Sequence, residues 1–417
     1  MTSARRLPRI LIVTHSYYEE DPRVRREAEA LVAAGLEVDV VGLRRPGAPE
    51  SGRVDGVSVH RLSVQRHQGA GIATYLREYA AFFARAATTA TRLHVRRRYG
   101  LAQVATLPDP LVFALAPLRL DGVPVVLDMH EAMPEFFRSR FPAASRAPVR
   151  AALLLAERAS AAFASHVLTV NDALAERLAS LGVPRSKVTV ILNSPRADRF
   201  DPSAHPPRAF MADGRLHLVY AGALTPLYQL DVAVRAVALL VRGDADADGD
   251  GAAAQASAAS PGPLDVTLDL YGRGDAAPGI RALAAELGVG DRIRLHGRIP
   301  VEEVAARIAE ADVGLAPTRR DRFTDFSLST KIFEYAAMGK PVVASRLPTV
   351  ERYFGPDALC YFEPGDEASL AAAIRRLVAD LDARARATGL GAARVADLSW
   401  EREASRYVEL VERLARP

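Results

Sequence analysis

The sequence predicts an α/β protein built as two doubly wound halves, on three observations. Short apolar runs alternate with segments of helical period, the pattern of parallel strands joined by helical crossovers. That pattern runs to about residue 200, stops at a Pro-rich passage over 201–207, and then restarts. The chain has 417 residues, which suits two domains of about 200 residues better than one.

In the first half, RILIVT at 9–14 is an unbroken apolar run, as expected of a strand buried on both faces. Asp21 and Pro22 then supply an N-cap and a first-turn proline. The helix they open runs through Val24, Ala28 and Leu31 and ends at Gly35. Further strands are predicted at 38–41, 123–128, 166–170 and 188–192, with helices between them that include 151–163 and 172–181. A helix carrying Tyr75, Leu76, Tyr79, Phe82 and Phe83 leads into a basic cluster of Arg92, Arg96, Arg97 and Arg98. It reads either as a helix packed on the sheet with a solvated basic end, or as a peripheral contact of the N-terminal domain with anionic membrane.

In the second half, strands are predicted at 216–220, 266–271, 293–296, 313–316, 341–344 and 358–362, and a last helix at 398–414. The expected domains are therefore 1–205 and 206–397, with 398–417 as a closing helix. Residues 243–263 (GDADADGDGAAAQASAASPGP) have no periodicity and no large apolar residue, so they read as a mobile surface loop. Asp244, Asp246, Asp248 and Gly249 match the opening of an EF-hand loop. The twelfth position is Gln255 and no helix pair flanks it, so acidic low complexity is the better reading.

Composition removes several function classes. Lys and Arg total 54 against 50 Asp and Glu, a net charge of +4. Nearly all the bases are Arg, a coding bias that does not point to a nucleic-acid partner. The single cysteine, Cys360, excludes an internal disulfide and a Cys-cluster metal site; its apolar neighbours suggest an inert core thiol. No apolar run reaches the ~18 residues of a membrane span, and the run at 10–13 is too short for a signal-peptide core, so a cytoplasmic protein is expected. No G-x-G-x-x-G follows the first strand, which argues against a nicotinamide enzyme.

In open α/β sheets ligands bind beyond the carboxyl ends of the strands, and the richest such stretch is SLSTKIFEYAAMGKPVV at 327–343. Ser329 or Thr330 can cap its helix, Gly339 ends it, and Pro341 opens the next strand. A helix N-terminus suits a diphosphate. Lys331 in the first turn opposes the helix dipole unless an anion is present, and two of the three lysines (Lys187, Lys331, Lys340) fall in this segment. Lys331 is thus a candidate phosphate ligand, the alternative being an ion pair with Glu334. Glu334, one turn on, is a candidate acceptor for ribose hydroxyls; it is not half of a capping box, since the residue three before it is Lys331. Gly222, Gly272 and Gly274 follow strands and permit close backbone approach to a ligand.

These segments resemble the retaining glycosyltransferases of family four, and the resemblance covers nearly the whole chain. Residues 327–343 resemble the family's donor-binding signature, and 15–41 its first strand, loop and helix. VVLDMHEAMPEF at 125–136, VILNSPRADRF at 190–200, YAGALTPLYQLDVAVRA at 220–236 and LSWEREASRYVELVERL at 398–414 resemble further blocks in the same order. The resemblance implies a GT-B fold, two Rossmann-like domains facing a central cleft, with the closing helix returning to the N-terminal domain. It implies a donor site of Gly222, Thr225, Gly272, Arg273, Arg298, Ser327, Leu328, Ser329, Thr330, Lys331 and Glu334. His130, Lys331 and Glu334 are the expected catalytic group, with His15, Asp109 and Glu131 on the acceptor side. No metal or cofactor is implied beyond a nucleotide-diphosphate sugar as co-substrate. The acceptor is a saccharide, lipid-linked or small molecule.

This chain departs from the family at defined positions. The first of the family's two signature glutamates falls on Phe326, with Asp325 beside it. The usual Arg and Lys after the second domain's first strand fall on Ala223 and Tyr228. Diphosphate neutralisation is thereby left to Lys331, the helix terminus and Arg319 or Arg320, as in a branch of the family with Ser-Leu-x-Thr-Lys before the glutamate. The expected reaction is sugar transfer with retention and without metal. The alternatives are another GT-B chemistry, such as a nucleotide-sugar epimerase or a pseudo-glycosyltransferase, and a non-catalytic nucleotide-binding scaffold.

Overall fold

The computed structural model describes residues 8–64, 72–141, 145–206, 208–243 and 262–415. The chain divides into two compact units, one of residues 1–193 with 401–417, the other of 194–400. The predicted loop at 243–263 falls almost wholly outside the described residues.

The first unit holds an eight-stranded sheet: β1 (Arg9–Thr14), β2 (Glu37–Leu43), β3 (Ser51–Val54), β4 (Val57–Leu62), β5 (Tyr99–Ala105), β6 (Val125–Met129), β7 (His166–Thr169) and β8 (Val188–Val190), in the order β3-β4-β2-β1-β5-β6-β7-β8. All pairings are parallel except β3 with β4. The first helix, Pro22–Ala33, starts as its sequence dictates, with the Asp21 side chain accepting from the Val24 amide. The helix Trp400–Leu414 belongs to this unit from Glu401 onward. Its Tyr407 hydroxyl donates to Gln103 on β5 at 2.8 Å, and its Glu403 accepts from the Leu192 amide at 2.8 Å.

The second unit holds six parallel strands: β9 (Leu216–Ala221), β10 (Val266–Tyr271), β11 (Ile293–Gly297), β12 (Val313–Ala316), β13 (Val342–Ser345) and β14 (Cys360–Phe362), in the order β11-β10-β9-β12-β13-β14. Side chains alternate across β9 as a strand requires. Leu216, Leu218 and Tyr220 join one core, with the helices Leu230–Arg242 and Glu367–Ala379; Val219 and Ala221 join a second, with the helices Val301–Glu310 and Thr330–Ala337. The sheet is therefore covered on both faces.

Four differences from the sequence reading have physical reasons. The junction between units falls at 193/194, not 205, because Phe200 already packs in the second unit's core with Val219 and Ala221. The hairpin β3–β4 was not predicted: β3 is an exposed edge with little apolar content, although Asp55-Gly56 at its turn, both with positive φ, is a hairpin signal. Strand β5 was also missed, because Tyr-Gly-Leu-Ala-Gln-Val-Ala carries small residues and a polar one where a buried strand usually carries β-branched ones. Cys360 is only partly buried, since β14 lies at the sheet edge; its thiol donates to the Ala373 carbonyl, and burial pushes its pKa up.

Candidate active site

Strand order reverses direction between β9 and β12 in the second unit, and a crevice beyond the carboxyl ends is expected there. The ends of β9, β10 and β11 are tied together: the Gly222 amide donates to Tyr271 at 2.8 Å, and that of Gly272 to Gly297 at 2.8 Å. Gly272 is required by packing, since a Cβ there would lie 1.7 Å from the Gly222 carbonyl oxygen. The backbone layer so formed borders a pocket of ≈ 380 Å³. Five expected donor-site residues line it: Gly222, Gly272, Arg273, Arg298 and Glu334.

The helix Thr330–Ala337 is seated beside that pocket by its apolar face. Ile332, Phe333 and Tyr335 are buried, and the Tyr335 hydroxyl accepts from the Ala221 amide at 3.0 Å. Ser329 is the N-cap residue, but its side chain makes no capping hydrogen bond. Ser327 donates to the Phe323 carbonyl, and Leu328 packs on the second core. Thr225 precedes the short turn Pro226–Tyr228, whose Tyr228 ring faces Lys331. Neither Thr225 nor residues 327–330 line the pocket.

Lys331 is only 7 % exposed. Among the described residues it has no ion-pair partner, so the local pair with Glu334 does not form. Its ammonium lies over the Tyr228 ring at 3.9 Å and within 5.1 Å of the Tyr220 ring centre, against Gly222. Lys340 acts differently. Its ammonium donates to the carbonyls of Ala309 and Ala311, both at 2.7 Å, closing the helix Val301–Glu310. Burial pushes Lys340 down to about 8. Of the other expected phosphate ligands, Arg319 is engaged by Asp321 at 2.7 Å and Arg320 by Asp325 at 3.4 Å.

In the first unit His15, Asp109 and His130 follow the carboxyl ends of β1, β5 and β6. His15 sits edge-on to Tyr79 and Phe82, ring centres 4.7 and 4.8 Å away. Asp109 is fully buried, and neither carboxyl oxygen has a hydrogen-bond partner among the described residues. Burial, reinforced by Glu157, holds it well above the ordinary carboxylate range. Burial also raises Glu131, against the pull of His130. The His130 Nε2 meets Asp128 at 2.6 Å, and Asp128 is bound in turn by Arg23 at 2.8 Å. Burial works against a charge on His130, but the Asp128 carboxylate outweighs it and raises the imidazole's pKa.

The sequence reading missed this support. Arg23 also pairs with Glu27 at 3.1 Å, and Gln103 donates to Glu27 at 2.7 Å while accepting from Tyr407. The usable signal was Asp128 itself, a carboxylate closing an otherwise apolar strand two residues before a histidine. The basic cluster is partly spent inside the unit: Arg97 binds Asp39 at 2.9 Å and Arg98 binds Asp121 at 3.1 Å. Among the described residues no group of His, Cys, Asp and Glu is arranged to hold a metal ion, and no helix is long and apolar enough to cross a membrane.

Comparison with known proteins gives this arrangement its class. Residues 21–194 match the description "Glycosyl transferase 4-like domain", and residues 215–380 match "Glycosyl transferases group 1". A sucrose-phosphate synthase from Thermosynechococcus elongatus superposes with a TM-score of 0.76 at 19 % identity, covering 97 % of this chain and 99 % of that one. Anabaena HepE in complex with UDP-glucose superposes with a TM-score of 0.69 at 15 % identity, covering 96 % and 99 %. The fold is GT-B, and the two matched domains occupy both halves of the chain. Each half of the chain thus matches one glycosyltransferase domain. In sequence it is 28 % identical over 309 residues to a D-inositol 3-phosphate glycosyltransferase from Thermobispora bispora, covering 71 % of this chain and 67 % of that protein. Other curated relatives are matched over 36 % to 59 % of their own length.

Proposed function

We propose that this protein transfers a sugar from a nucleotide-diphosphate donor to a hydroxyl of a saccharide, lipid-linked or small-molecule acceptor, with retention and without a metal. One observation carries the reading: the deeply buried Lys331 ammonium has no carboxylate partner among the described residues, and it packs on Gly222, which lines the same pocket as Glu334. An uncompensated cation at such depth is costly unless an anion meets it. The helix Thr330–Ala337 carries Lys331 in its first turn, and the free amides of a helix N-terminus suit an anion. The HepE complex with UDP-glucose, on the same fold, favours a nucleotide sugar as that anion.

In glycosyl transfer the sugar becomes oxocarbenium-like while the leaving diphosphate gains charge. Lys331 and the helix terminus stabilise that charge in place, without reorganisation. Glu334 accepts from the ribose hydroxyls. A donor phosphate oxygen takes the acceptor's proton as the new bond forms on the face the leaving group departs. His130, held at Nε2 by Asp128, is the catalytic candidate of the first unit.

Calorimetric titration of UDP, GDP, dTDP and their sugar conjugates tests the reading, with Lys331→Ala and Glu334→Ala in parallel. One nucleotide should bind at micromolar strength, about −8 kcal/mol. Each variant should weaken it by about tenfold or more, the worth of a charged hydrogen bond. A folded wild type that binds none of them would leave a scaffold role in its place. Conversion of the donor sugar without any acceptor would indicate an epimerase.

A further inference from the structure

The lysine on which the donor site depends is held by rings. Its Nζ lies 3.9 Å from the Tyr228 ring centre and 5.1 Å from that of Tyr220, both inside the ~6 Å over which an aromatic quadrupole attracts a cation. The two rings stand 5.8 Å apart and tilted by 57°, forming a corner. Tyr220 is a fixed wall: it is fully buried, and its hydroxyl donates to the Ala223 carbonyl at 2.7 Å. Tyr228 is the other wall, carried on the turn Pro226–Tyr228 that leads into Gln229. Gly222 closes a third side, where a Cβ would lie 2.5 Å from the lysine Cε and 2.9 Å from Nζ.

We infer that Tyr228 is a positioning residue whose ring face keeps the Lys331 ammonium in place and unpaired, ready for the diphosphate of a nucleotide donor. The inference rests on the donor-site reading above. A carboxylate would hold the lysine as firmly, but its charge would cancel the one the ligand needs. A ring attracts the ammonium while leaving its full charge in place, so an entering anion breaks no ion pair. The ring does this, not the hydroxyl, and a phenylalanine should serve as well.

The test is calorimetric titration of UDP and GDP into the full-length wild type, Tyr228→Phe, Tyr228→Leu, Lys331→Ala and the double variant Tyr228→Leu/Lys331→Ala. Tyr228→Phe should bind the tighter nucleotide as the wild type does. Tyr228→Leu should bind it about tenfold more weakly, and the double variant no more weakly than Lys331→Ala, since the ring acts only through the lysine. Tyr228→Gln replaces the leucine variant if that one misfolds.

Wild-type affinity in Tyr228→Leu beside a weakened Lys331→Ala would overturn the inference and leave the donor site standing. A Tyr228→Phe as weak as Tyr228→Leu, or losses that add in the double variant, would also overturn it. Wild-type affinity in Lys331→Ala, or no binding by the wild type, would sink the donor-site reading and this inference with it.

Discussion

The two units keep their buried cations in opposite ways. In the first, Arg23 is 3 % exposed and lies between Asp128 at 2.8 Å and Glu27 at 3.1 Å. In the second, Lys331 is nearly as deep and leans on two tyrosine rings. A cation matched by carboxylates is committed to the fold, because removing it strands their charge. A cation matched only by ring faces remains available to a ligand. The contrast separates scaffold charge from site charge more sharply than burial does, since both side chains are buried. Lys340 takes a third course, spending its ammonium on two backbone carbonyls at the end of a helix.

The comparison is most exposed to failure at Arg23. Arg23→Met leaves Asp128 and Glu27 buried without their cation, and should cost about 3–5 kcal/mol of stability in urea unfolding. A loss under 1 kcal/mol, on the scale of an exposed pair, would mean that the network is not held by charge.

The next effect is a pH dependence set by Glu27. Burial, reinforced by the Asp128 charge, pushes its carboxyl from 4.5 up to about 7 against the pull of Arg23. Between those values the folded state keeps a proton that the unfolded state has lost. Its contribution to stability is therefore complete below pH 4.5, declines as pH rises towards about 7, and is then spent. The raised pKa of His130 acts with the same sign. Glu27→Gln mimics the protonated acid and leaves His130 in place, so the variant should match the wild type near pH 5 and exceed it at pH 8. A wild-type advantage that grows with pH in this window would contradict the raised carboxyl.

The smallest effect is expected at Lys331 in the empty protein. Lys331→Met keeps an unbranched side chain and removes a charge that no carboxylate among the described residues matches. Its melting transition should stay within about 1 kcal/mol of the wild type or move upward. A loss as large as that of Arg23→Met would show that Lys331 is structural, and the distinction between the units would collapse.

Much of the fold was legible because the parallel sheets are covered on both faces and their strands are apolar runs, as at β1, β10 and β12. The signal failed where burial is partial or the residues are small: the exposed edge β3 and the Ala- and Gly-containing β5; the strand β14 lies within the predicted 358–362, and only the core burial of Cys360 was misjudged there. The candidate site was legible where position along the chain suffices. Lys331 and Glu334 stand in the first two turns of a helix bounded by Ser329 and Gly339, and such helices point their first turn at the crevice. Gly222, Gly272, Arg273 and Arg298 follow strand ends and meet around one pocket. Thr225 and Leu328 do not line it: one precedes the turn that carries Tyr228, the other packs on the core.

By itself, then, the sequence determined two doubly wound halves, the order of their elements, and a helix start with a lysine in its first turn. These follow from periodicity, caps and breakers, which act between residues close along the chain. Only the tertiary structure decided what each charge meets. That Lys331 rests on Tyr220 and Tyr228, or that Tyr407 reaches Gln103 across 304 positions of sequence, depends on which strand ends come together, and contacts so distant leave no local pattern to read. Tyr228 shows the difference plainly: as a letter it marked a missing lysine, and in space it became the support of another.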